Sequence, residues 1–296
     1  MHPAFDVSRS IGDITFSIVS DDPRLAPAAD GPLRPFFTDH RRADVEIRAR
    51  WTDTPAEPRG DMLFDSGGPW QLLQSGNEFL FTFRSATRGQ VPYKTSRFNR
   101  TFTSGDVQVY RPHFDHRASD PVDPLEFPLD ELIMIHVLSQ GKGVLIHGCA
   151  LVDAAGRAYV FAGQSGAGKS TLARLWIDHP GVTLLSDERV VLRTDRQPIA
   201  VYGTPWHGDA MLVSPRSGEL AGVFFLHHAA THAVGPTGGS LAAAKLLSCS
   251  FLPFHSAEAI DRTMAALERV VGTTPCYDLG FAPDPSVIDV LTRYID

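Results

Sequence analysis

The chain has 296 residues, enough for about two domains that each bury a core. Apolar residues make up 43% and charged residues 21%, an ordinary globular composition, and 34 acidic against 27 basic side chains give a formal charge of −7. That balance argues against general nucleic-acid binding, which relies on clustered Lys and Arg. No apolar run approaches the roughly 18 residues of a membrane span, and the opening "MHPAFDVSRS" has no basic region followed by an apolar stretch. The three cysteines, Cys149, Cys249 and Cys276, are far apart and form no Cys-x-x-Cys pair, so neither a disulfide framework nor a zinc knuckle is expected. The expectation is a cytoplasmic protein with reduced thiols and no nucleic-acid or membrane partner.

In chain order, "DITFSIVS" (13–20), "ADVEIRAR" (43–50), "EFLFTFRS" (78–85) and "DVQVYRP" (106–112) alternate apolar and polar positions and predict strands. The proline-rich stretch 111–128 looks like a long connection and places a boundary near 125. The expected organisation is therefore a β-rich N-terminal domain over 1–125 and an α/β domain over 126–296. Within 79–105 stand Arg84, Arg88, Lys94, Arg97 and Arg100 with no acid among them; a solvated sheet face is the favoured reading, an acceptor-binding patch the alternative.

The second half opens with a predicted helix over 129–141, Asp130 as its N-cap and Gly141 closing it. "GVLIHGCALVD" and "RAYVFAG" are apolar runs joined by the turn "DAAG", which predicts a hairpin. Strands follow at 182–187, 190–194 and 221–228, then helices near 238–249 and 256–271, the latter capped by Ser256 and ended by Gly272. The strand "CYDLGF" and the helix "DPSVIDVLTRY" close the chain. Alternating strands and helices make this half α/β.

Between the hairpin and the first of these strands, "GQSGAGKS" (163–170) fits G-x-x-x-x-G-K-[ST] at every fixed position. Gly163, Gln164, Ser165, Gly166, Ala167, Gly168, Lys169, Ser170 and the adjoining Thr171 form the expected nucleotide-binding segment. Glycines let several backbone N–H groups turn inward on an anion, and the helix beginning there adds its N-terminal partial positive charge. Lys169 is placed to reach the β- and γ-phosphates, and the Ser170 hydroxyl to coordinate Mg²⁺. After a single intervening helix come Asp187 and Glu188, in "VTLLSDERV". Two adjacent acids there can divide the work between Mg²⁺ and the proton of an acceptor.

Together, "IHGCALVD", "GQSGAGKST" and "LLSDERV" resemble the C-terminal catalytic domain of HPr kinase/phosphorylase, and more closely the HPr-kinase-related proteins. The early acidic pair is also similar to that of phosphoenolpyruvate carboxykinase. The resemblance covers roughly 130–296 and implies a P-loop kinase fold of that type, with ATP and Mg²⁺ and a seryl hydroxyl as acceptor. It carries the proton-handling roles to His147 and Asp187, and Mg²⁺ binding to Ser170, Asp187 and Glu188. The chain departs from HPr kinase/phosphorylase in having Thr171 where that family has an acid, Asp-Glu in place of Asp-Asp, and no Glu-x-Arg-Gly signature. In a comparable region stands "YGTPWHGD" (202–209), with Trp206, His207 and Asp209, similar to segments of the HPr-related kinases. The implied function is transfer of the γ-phosphoryl of ATP to a hydroxyl of a peptide or protein. A small-molecule kinase on the same core and a nucleotide-binding regulatory ATPase stand as alternatives, and the resemblance leaves a homo-oligomer open.

Overall fold

A computed structural model describes residues 5–27, 30–39, 42–114 and 120–295; within these, the side chains of Arg88 and Gln90 lie outside the description. The chain is mixed α/β and divides into two compact units, Met1–Ser10 with Ile14–Val137, and Ile11–Asp13 with Leu138–Asp296. Among the described residues there are two large sheets and five helices. No helix is long and apolar enough to cross a membrane among these residues.

In the first unit the four strands expected from alternation are present and five others join them. They are β1 (Phe5–Ile11), β2 (Ile14–Ser20), β3 (Phe37–Thr38), β4 (Val45–Thr52), β5 (Asp61–Asp65), β6 (Trp70–Ser75), β7 (Glu78–Ser85), β8 (Gly89–Asn99) and β9 (Ser104–Tyr110). They pair in the order β3-β1-β2-β4-β9-β8-β7-β6-β5. The period of two is plain in β4, where Val45, Ile47 and Ala49 are buried and Glu46, Arg48 and Arg50 are exposed. Helix α1 (Leu129–Leu138) falls almost wholly in this unit. Its His136 stacks on Phe102 at 4.3 Å, and Asp130 faces the buried Arg9 at 3.8 Å. Asp130 thus lies inside the first turn, buried beside an arginine.

The basic stretch does not behave as one face. Lys94 is buried, donates to the Glu126 carbonyl at 3.0 Å and lies over the Phe83 ring. Burial pushes its ammonium below the usual lysine range. Arg97 is exposed and paired with Glu78, Arg84 donates to Gln71, and Arg100 is exposed. The Arg88 side chain lies outside the described residues.

The second unit contains β10 (Gly143–Asp153), β11 (Arg157–Ala162), α2 (Lys169–Trp176), β12 (Val182–Ser186) and β13 (Arg189–Arg193). After them come β14 (Ala200–Tyr202), β15 (Ser217–His228), β16 (Ala233–Pro236), α3 (Gly239–Ser248), β17 (Ser250–Phe251), α4 (Ala257–Thr273), β18 (Cys276–Phe281) and α5 (Ser286–Ile295). The expected hairpin is β10–β11, antiparallel through the 153–156 turn. The sheet runs β11-β10-β13-β14-β15-β18-β16, and β11 also pairs with β15 in parallel. On one face Ala242 and Leu246 of α3 join Leu267 and Val270 of α4 in a core with Val144, Ile146 and Val160. On the other, Leu172 and Trp176 of α2 and Val287, Leu291 and Ile295 of α5 pack on Phe161 and Phe224. The i, i+4, i+8 spacing of α5 is what lays those three side chains on one stripe. Ser256 caps α4 by accepting from the Ala259 amide, as expected, whereas the helix runs through Gly272 to Thr273.

Candidate active site

The long strand β10 gathers the site because it changes neighbours midway. Its first half lies against β13 on one edge, with His147 opposite Arg189. Its second half lies against β11, with Gly148 opposite Ala162, and against β12, with Ala150 opposite Ser186. Segment 147–150 therefore stands beside the end of the strand feeding the glycine loop 163–168 and beside the end of the strand feeding the acidic pair. Pairing register alone brings three motifs, separate in sequence, to one place.

From β11 the chain runs through 163–168 into α2, the strand–loop–helix order that the glycine pattern requires. Gly166 and Gly168 have φ of 81° and 97°, the left-handed region that other residues enter at a cost. A Cβ on Gly168 would also lie 2.6 Å from the Phe281 ring. Among the described residues no backbone carbonyl accepts from the amides of Gly166, Gly168, Lys169 or Ser170, which leaves these N–H groups available to an anion at the start of α2. Gln164 and Ser165 are exposed at the tip, and Ala167 and Thr171 are half-buried. Lys169 is 4% exposed, and its Nζ donates to the carbonyls of Gly163 and Gln164 at 2.9 and 3.0 Å. Burial lowers its pKa from the ordinary 10.5, opposed by the Glu188 carboxylate.

Asp187 is fully buried, and its carboxylate accepts three backbone amides from one loop. Oδ1 takes those of Gly208 (3.0 Å) and Leu212 (3.2 Å), and Oδ2 that of Ala210 (2.8 Å). The adjacent Glu188 is partly exposed and lies 3.3 Å from Nε2 of His147. His147 thus meets Glu188, whereas the resemblance gives the proton-handling roles to His147 and Asp187. The pKa of His147 is lowered from 6.5 by burial first, then by Lys169 and Arg189, against the pull of Glu188. The shift favours the neutral ring at pH 7.

The "YGTPWHGD" segment supplies what the sequence left open. Trp206 is 7% exposed and its carbonyl accepts from Ser186 Oγ, which anchors the loop next to the acidic pair. His207 is half-buried with Nδ1 against the Gly208 carbonyl, and Asp209 is exposed. Gly208 is the telling residue. A Cβ there would lie 2.9 Å from Asp187 Oδ2, 3.1 Å from Glu188 Oε2 and 3.2 Å from Ser170 Oγ. Three oxygens from two segments, 170 and 187–188, converge on a point kept open because residue 208 has no side chain.

Among the described residues no group of three or more His, Cys, Asp or Glu is placed to hold a metal ion. The Gly208 cradle is of another kind, two carboxylates and a hydroxyl. That donor set suits Mg²⁺, which usually binds one or two carboxylates and completes its shell with water and phosphate oxygens. Gly208, the amides of 210 and 212, and His228 at the end of β15 were not singled out from sequence, because their roles depend on backbone groups or on a strand end distant in the chain. All three cysteines are buried and free, and burial pushes the Cys149 thiol up to about 12. The chain matches no protein-family profile, and a search of curated proteins returns no match.

Proposed function

We propose that the second unit is a Mg²⁺-dependent phosphotransferase that moves the γ-phosphoryl of ATP to an alcohol, with a serine of a peptide or protein as the favoured acceptor. The observation that carries the reading is the convergence of Ser170, Asp187 and Glu188 around Gly208, beside a buried lysine on a glycine loop. The resemblance to HPr-kinase-related proteins, on the motifs around His147, Lys169 and Asp187, supports the same chemistry.

The loop amides and Lys169 bind the nucleotide phosphates, and Lys169 offsets negative charge on the group in flight. Ser170 Oγ, Glu188 Oε2 and Asp187 Oδ2, the three oxygens around Gly208, would hold Mg²⁺, which when bound neutralises phosphate charge. Asp187 also fixes the 208–212 loop through its three amides. Glu188, with the neutral His147 at 3.3 Å, is placed to take the acceptor's proton. As the acceptor oxygen bonds to the γ-phosphorus, the bond to the β–γ bridging oxygen breaks and ADP leaves. Positioning and charge compensation are the main needs of this reaction.

The test is transfer from γ-labelled ATP with Mg²⁺ to size fractions of a cell extract, with Lys169→Met as control. Label on peptide or protein, absent with the control, supports the reading. Label on a small metabolite moves the assignment to a small-molecule kinase, and release of free phosphate alone refutes transfer to an alcohol.

A further inference from the structure

Strands β15 and β18 run parallel and end together, with His228 opposite Phe281. Both side chains meet the phosphate-binding loop. Phe281 lies against the bare face of Gly168, and His228 Nε2 is 2.6 Å from the Gly166 carbonyl, a contact between residues 62 apart. The carbonyl can only accept, so Nε2 carries the proton and donates. His228 is exposed at the strand end, so core packing does not account for its position.

What the bond fixes is one peptide group. The N–H of that same peptide, on Ala167, donates to the Gln164 carbonyl at 3.1 Å. The 166–167 peptide is thus held at both ends, its N–H inside the 164–167 turn and its C=O on His228. Gly166, at φ 81°, would otherwise sample several orientations at little cost. Each reorientation would rotate the neighbouring amides of Gly166 and Gly168, which have no backbone acceptor among the described residues and are available to phosphate.

We propose that His228 is a positioning residue for the phosphate-binding loop: its Nε2–H holds the Gly166 carbonyl and so presets the amide cradle for a nucleotide diphosphate. This rests on the phosphate-binding reading of the loop but not on any acceptor or transfer step. Preset amides bind without first being ordered, and the advantage should appear as affinity. A net hydrogen bond of ordinary strength corresponds to about five- to tenfold in Kd.

The experiment is calorimetric titration of the full-length protein with ADP, in wild type, His228→Gln and His228→Phe, with unliganded melting curves of each. Gln places an N–H where Nε2 stands; Phe keeps the ring and loses the donor. The expected result is Gln within about twofold of wild type and Phe weaker by about five- to tenfold, with unliganded melting temperatures unchanged. Equal affinity in all three proteins overturns the proposal. Equal loss in Gln and Phe overturns it too, because the donor would then not be what matters. A wild type that does not bind ADP defeats the phosphate-binding reading itself, and a wild type that binds ADP but transfers no label leaves this proposal standing while the transfer reading fails.

Discussion

Gly208→Ala is the most direct perturbation of the candidate site. Gly208 is not in the left-handed region, so alanine adds no backbone strain and the effect is one of space. The new methyl would lie 2.9, 3.1 and 3.2 Å from Asp187 Oδ2, Glu188 Oε2 and Ser170 Oγ. All three contacts are tighter than ordinary carbon–oxygen packing. The Glu188 and Ser170 side chains can turn aside, but Asp187 is held by three amides and cannot follow. Relief of the overlap costs about 1–2 kcal/mol, which lowers the melting temperature by about 2–8 °C for a chain this long. The larger consequence is chemical, because the methyl fills the point on which the three oxygens converge. Loss of about 3 kcal/mol of cation stabilisation in the transition state corresponds to about 150-fold in rate. The assay is ADP binding with and without Mg²⁺, together with label transfer. Gly208→Ala is expected to keep metal-free ADP binding, lose the increment from Mg²⁺, and transfer label about 150-fold more slowly. Mg²⁺-dependent binding equal to wild type would refute the cradle.

Asp187→Asn sets an amide N–H₂ toward the backbone donors of 208–212, leaving at least one buried N–H without an acceptor. It is expected to destabilise the second unit by about 1–3 kcal/mol and to suppress transfer while metal-free ADP binding persists, which denaturant unfolding and calorimetry check together. His147 titrates below its ordinary 6.5, so its neutral form is favoured at pH 7 and transfer is expected to fall as pH drops beneath 6.5. The unfolded chain binds this proton more readily, so stability also falls as pH drops below 6.5; His147→Gln should flatten both limbs in pH–rate and pH–melting profiles. Cys149, Cys249 and Cys276 are buried with raised pKa values, so a thiol reagent at pH 8 is expected to modify none of them quickly in the native protein and all of them in denaturant. Rapid native labelling would contradict that burial.

The glycine loop, the hairpin before it and the acidic pair after it were legible because each is written in neighbouring residues. Torsional freedom at Gly166 and Gly168, the alternation that makes β10 and β11, and the end of an apolar strand at Ser186 are local properties. The amphipathic stripes of α4 and α5 were legible for the same reason. The packing of α1 was not, because its His136 meets Phe79, Phe81 and Phe102, which lie far upstream. Lys94 likewise looked like one of five solvated cations until its distant partner, the Glu126 carbonyl, was in view.

By itself, then, the sequence determined the mixed α/β composition, the strand–loop–helix at 161–176 and the identity of the chemical groups His147, Lys169, Ser170, Asp187 and Glu188. Tertiary structure decided how those groups pair. His147 meets Glu188 because β10 and β13 align residue 147 with residue 189, and Asp187 is taken up by amides because the 203–213 segment folds back on it. Gly208 matters through a side chain that it lacks, at a point defined by two other segments. Such a role has no local signature, since it arises from the distances between parts of the chain that only folding brings together.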